Sequence, residues 1–212
     1  MKFRLAPLML LIALLPACSR KGVIMDGGVF TVRSACPLVG VPAATGDVTL
    51  FNPPGNITAA AIDVTATITN VRGSCQEGAG AEIVSTVSFD VLGQRRVAGP
   101  ARTVVLPFFN VVVQGGTEVV AKRVGAVALN FPEGSLRAQS AGQGTSRVSR
   151  SVATLPESVR TVLTRRRKPG DADAAVDPLT DPAVRAAVAR ATFEQLVGFQ
   201  LTEAQLRYNA TR

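Results

Sequence analysis

The sequence predicts a mainly β fold, two antiparallel sheets packed as a sandwich with one or two short helices at the C-terminal end. Three observations carry it. Several segments alternate apolar and polar residues with period two and are rich in β-branched side chains, Pro and Gly separate them, and the last quarter turns to helix-start signals.

The clearest strand is Ala61 to Val71, where Ile62, Val64, Ala66 and Ile68 alternate with Asp63, Thr65, Thr67 and Thr69. A helix would scatter those threonines around its circumference, whereas a half-buried strand puts them all on one side. The next runs from Ile83 to Leu92, setting Ile83, Ser85, Val87, Phe89 and Val91 against Thr86, Ser88 and Asp90, with Gly93 as its end. Thr103 to Gln114 is apolar on both faces, as in a strand covered on two sides, and Pro107 argues for a bulge or an edge there. Gly115-Gly116 reads as a hairpin turn into Thr117 to Phe131, whose alternation slips near Lys122-Arg123 in the manner of a second bulge. Shorter candidates are Val29–Arg33, Val48–Phe51 and Ser146–Ala153. Further on, Asp181 is a helix N-cap with Pro182 at the first helical position, Phe193 to Leu201 suits a final strand, and Thr202 to Gln205 is a capping box. Short strands at this spacing, separated by turn chemistry, suggest a sandwich of immunoglobulin-like kind.

The N-terminus has a different character. Lys2 and Arg4 precede an apolar run from Leu8 to Leu15, of signal-peptide length and short of the ~20 residues of a spanning helix. Leu15-Pro16-Ala17-Cys18 follows, which resembles the lipobox of bacterial lipoproteins, with Pro16 where a smaller residue is usual. The resemblance implies cleavage between Ala17 and Cys18 and lipid on the Cys18 thiol, and Ser19 in place of Asp favours the outer membrane. Residues 1–17 are then a signal peptide, 18–28 a lipidated tether and 29–212 one sandwich domain with a mobile charged loop near 164–181. The closing GFQLTEAQLRYN resembles uncharacterised envelope lipoproteins of alphaproteobacteria, a likeness that implies no activity.

With Cys18 assigned to lipid, Cys36 and Cys75 remain in an oxidising compartment, where a disulfide is the leading reading. Two separate thiols or a metal pair are the alternatives, although two Cys with no His and no C-x-x-C spacing make a poor zinc site. Such a bridge would close a loop of about 40 residues.

Charge and composition narrow the function. Of 23 Lys and Arg, two belong to the leader, which carries no acid, so the formal net charge falls from +8 to +6 in residues 18–212. The basic residues are scattered except for Arg165, Arg166, Arg167 and Lys168, and without interleaved aromatics they lack the clustered face that nucleic acid needs. That run reads as a solvated loop, with lipid head groups or a partner as a second possibility. No His is present, which removes His-based triads and imidazole ligands, and neither a Ser-Lys pair nor a Gly-x-Ser-x-Gly elbow appears as a motif to replace them. Asp63 and Asp90 fall on the polar faces of neighbouring strands, as an acid pair or, more simply, as outward solubilising charges. Asp171, Asp173, Asp177 and Asp181 lack the order of a calcium loop and read as a counterweight to the basic run. No cofactor is expected. The sequence therefore points to a non-enzymatic binding or structural module of the cell envelope, facing the periplasm. An assembly factor docking through residues 165–168 and a cryptic hydrolase of an envelope polymer are the alternatives.

Overall fold

The computed structural model describes residues 24–25, 28–29, 34–76, 80–165, 167 and 170–211. Residues 1–33 and 34–212 form separate units. In the first, β1 (Ile24–Met25) pairs antiparallel with β2 (Gly28–Val29). Cys18, the leader and most of the tether lie outside the described residues.

The second unit contains two four-stranded sheets. One has the order β3 (Leu38–Gly40), β10 (Phe193–Phe199), β7 (Arg102–Gln114), β8 (Glu118–Phe131); the other is β4 (Asp47–Phe51), β5 (Ile62–Gln76), β6 (Glu82–Arg95), β9 (Arg137–Ser149). Every pairing is antiparallel except β3 with β10. The first sheet is called here the β7–β8 sheet, the second the β5–β6 sheet.

The alternation read from the sequence decides what lies between them. Val64, Ala66 and Ile68 of β5 and Val87, Phe89 and Val91 of β6 meet Leu106, Phe108, Val127, Leu129, Phe131, Val197 and Phe199 of the other sheet in one buried cluster. Phe89 and Phe108 meet edge to face across it, centroids 5.1 Å apart. Gly93 does not end β6, which continues to Arg95. A Cβ at Gly93 would stand 2.5 Å from Leu129 Cδ1, so this glycine permits close approach of the two sheets and makes no turn.

β9 is longer than its sequence suggested, running from Arg137, and residues 150–153 of the expected strand Ser146–Ala153 are helical, as α1 (Arg150–Ala153). Its inward residues Ala138, Ser140, Gly142, Gly144 and Ser146 are small because bulkier neighbours fill the space. A Cβ at Gly142 would lie 2.4 Å from the Phe89 ring, and one at Gly144 2.7 Å from Asn110. Beneath them runs a buried polar seam: Gln195 Nε2 donates to Asn110 Oδ1 and to the Gly144 carbonyl, each at 3.0 Å, and Asn110 Nδ2 donates to Ser146 Oγ at 3.0 Å. Beyond this seam a smaller cluster of Ile83, Val112, Val148, Ala153 and Phe193 packs against the Cys36–Cys75 disulfide, whose Cα atoms are 6.0 Å apart. The disulfide reading is thus the one the structure carries.

Pro107 sits where β7 has lost one neighbour. The last β10 pair is Phe199 with Phe108, and the Pro107 carbonyl, on that same side, accepts from Gln200 N, so no ladder donor is missing. β8 does bulge, at Val120 and so just before the expected Lys122-Arg123, where the register against β7 shifts between Val112 and Val113. Arg95, only 4% exposed, donates to the carbonyls of Ser135, Pro100, Gly99 and Pro132 at 2.5–3.0 Å and lies over the Phe131 ring, tying two loops together.

Three further helices follow: α2 (Glu157–Thr164), α3 (Pro182–Arg190) and α4 (Glu203–Thr211). Asp181 Oδ1 accepts from Ala183 N at 2.7 Å with Pro182 at the start of α3. Thr202 and Gln205 exchange backbone and side-chain hydrogen bonds across the first turn of α4, and the Tyr208 ring meets Phe51 edge-on. Phe193, Gln195, Val197 and Phe199 of β10 are all buried, on the one face expected. Among the described residues no helix is long and apolar enough to cross a membrane.

Candidate functional site

Burying Val64, Ala66 and Ile68 forces Thr65, Thr67 and Thr69 to the opposite face of β5. The strand register then builds a polar surface in rows. Thr65, Gln94 and Arg137 form the first row, Thr67, Leu92 and Gln139 the second, and Thr69, Asp90 and Ala141 the third. Over the first two rows lies an open depression of about 740 Å³, and a smaller one of about 280 Å³ continues it over Asn70, Arg72, Ser88, Asp90 and Gln143.

The surface changes direction at a bulge. The pairing of β5 with β6 shifts between Thr69 and Arg72, and Asn70 adopts a left-handed conformation with φ of 52°. Asn is among the few residues other than Gly that tolerate this region. The bulge aims Asn70 across the strand, where its Nδ2 donates to Asp90 Oδ2 at 2.7 Å. Asp90 is therefore anchored, and Thr69, Asn70 and Arg72 crowd onto one patch.

Thr65, Thr67, Gln94, Arg137 and Gln139 make no side-chain hydrogen bond or ion pair with another described residue. Rich in groups that both donate and accept, with Arg137 as the one charge of its first two rows, this three-stranded face matches a ligand that carries hydroxyls and amides. Its one large apolar residue is Leu92, 48% exposed. It carries none of the Tyr, Trp or Phe anchors typical of tight protein interfaces.

The two acids singled out from the sequence do face outward, but far from one another. Asp63 lies six residues before Thr69, the residue opposite Asp90, which at about 3.3 Å per residue is ~20 Å along the strand. Two carboxylates serving one glycosidic bond stand within roughly 5–9.5 Å. Asp63 instead receives a two-pronged hydrogen bond from Arg102 of β7, at 2.9 and 2.5 Å, which ties the two sheets together at the surface. The Arg102 hydrogen bond holds the Asp63 carboxyl below the ordinary carboxylate range and raises the guanidinium in turn.

The basic run and the acidic loop meet. Arg165 pairs with Asp173, and Arg167 Nε lies 3.5 Å from the same carboxylate, while Arg166 and Lys168 lie outside the described residues. Asp177 caps the 3₁₀ turn Pro178–Thr180, and Asp181 caps α3. Lys122 is an outward strand residue, its Nζ 5.7 Å from the Phe109 ring centroid. Sequence reasoning found the threonine row and Asp90; it missed Gln94, Arg137, Gln139 and the bulge, because Gly93 looked like a strand end and no apolar alternation marked residues 137–145 as a strand.

No protein-family model matches this chain, and no curated protein or solved structure matches it either.

Proposed function

We propose that this protein is a lipid-anchored envelope protein, held by Cys18 and facing the periplasm, whose sandwich binds a hydroxyl- and amide-bearing envelope polymer without chemical conversion. The single observation supporting it is the outer face of the β5–β6 sheet, where neighbouring strands hold Thr65, Thr67, Gln94, Arg137 and Gln139 side by side with no side-chain partner among the described residues. The lipobox at Leu15–Cys18 supports the anchor, and Ser19 the outer membrane. The sandwich is immunoglobulin-like at the level of architecture, two mainly antiparallel sheets face to face, with its own strand order. Docking through residues 165–168 draws less support, since Arg165 and Arg167 are turned onto Asp173.

Two experiments test this reading. Radioactive palmitate should label the full chain and be lost on Cys18→Ser. The purified full chain should co-sediment with isolated sacculi and lose that binding in Thr67→Val/Gln139→Leu; release of soluble fragments from the sacculi would contradict a purely binding role.

A further inference from the structure

The other outer surface is apolar and ends in an open strand edge. β8 closes the β7–β8 sheet, and its first half is exposed on both faces, with Val119, Val120 and Val124 at 59%, 45% and 59%. Pairing with β7 settles which way each residue points. Val119, Lys122 and Val124 share the outward side with Val113, Val111 and Phe109. Glu118, Ala121 and Arg123 share the inward side with Gln114, Val112 and Asn110, and all three are exposed there. Along this stretch β8 overhangs the core, and among the described residues its outer edge pairs with no other strand, leaving backbone groups open beside exposed valines, the combination that templates pairing with another strand. Lys122, the residue type that usually guards such an edge, is laid back over Phe109.

We propose that the first half of β8 is a self-association interface, through which two copies of this chain pair edge to edge in antiparallel register about a two-fold axis. Charge selects the partner and the register. A second copy brings the same segment, Glu118-Val-Val-Ala-Lys-Arg-Val124, and pairing must match outward residues with outward and inward with inward. Setting Glu118 opposite the partner's Arg123 does so, places Val119 opposite the partner's Lys122, and by symmetry makes each contact twice. Registers centred on Lys122 or on Arg123 set like charges against each other, which is destabilising. The two β7–β8 sheets then become one continuous eight-stranded sheet. This inference is independent of the polymer-binding face, which lies on the other sheet.

Sedimentation of the full chain in mild detergent, over a dilution series, tests it. The unaltered protein should sediment as a dimer. Glu118→Arg and Arg123→Glu should each weaken association about tenfold, and the double variant Glu118→Arg/Arg123→Glu should restore it. Far-UV circular dichroism of all three controls for folding, which these exposed positions leave intact. A monomer at every concentration, single reversals that remain dimeric, or a double variant that stays dissociated would each overturn the proposal. So would association seen only on vesicles of anionic lipid, which would make a membrane surface the occupant.

Discussion

The two outer faces of the sandwich are made by the same rule and have opposite chemistry. On the β5–β6 sheet alternate residues of β5 from Val64 to Ile68 and of β6 from Ile83 to Arg95 are buried, and the residues between them are mostly Thr, Gln, Ser and Asp, with Leu92 as an apolar exception. On the β7–β8 sheet the residues turned away from the core include Val105 opposite Ala128, Pro107 opposite Ala126, and Val124 opposite Phe109. Period-two alternation fixes which residues face away from the core, but not whether that second face meets water, a polymer or another protein. That difference underlies both proposals, a hydrogen-bonding ligand on the polar face and a strand of like kind at the apolar edge.

Variants that strike the shared framework should abolish both faces together and cost most. Replacing Cys36 and Cys75 by Ser removes a cross-link spanning 39 positions, for which chain entropy gives about 4 kcal/mol, read as a lower denaturant midpoint. Gly142→Val should cost roughly 1–3 kcal/mol, since the new side chain collides with Phe89 and Val127 in a filled core. If Gly142→Val proved neutral, the account of why β9 carries so many small residues would fail.

Surface variants should separate the faces. Thr67→Val and Gln139→Leu are expected to leave stability within about 0.5 kcal/mol while removing sacculus binding. Asp63→Asn alters the outer side of β5 beyond the residues that line the depression. The Asp63–Arg102 pair is largely solvated, its side chains 23% and 44% exposed, so its loss should cost only about 0.2–1 kcal/mol. Its sign with pH is fixed by direction. The Asp63 carboxyl is held below its ordinary value, so the pair's contribution is present above that value and lost as pH falls through the lowered one. Asp63→Asn should therefore be less stable than wild type at neutral pH, and the gap should close on the acid limb of a stability titration.

Where local pattern and tertiary environment agree, the sequence was readable. β5 and β10 showed their faces plainly, and the caps at Asp181 and Thr202 announced α3 and α4. β9 was hidden because its inward residues are small for a tertiary reason, the reach of Phe89, Val127 and Asn110 from elsewhere in the fold. Arg95 looks like any surface arginine until two loops wrap their carbonyls around it. Half of the candidate site was legible as the Thr65–Thr69 alternation; the other half depends on the β6–β9 register, which no local signal encodes.

The most direct measurement of the contrast is co-sedimentation of the full chain with isolated sacculi, comparing Thr67→Val/Gln139→Leu with Val105→Thr/Val124→Thr. The first pair alters the polar face and the second the apolar one. Loss of binding in the first with retention in the second is the predicted result. Retention in the first with loss in the second would contradict the assignment of ligand to the β5–β6 sheet.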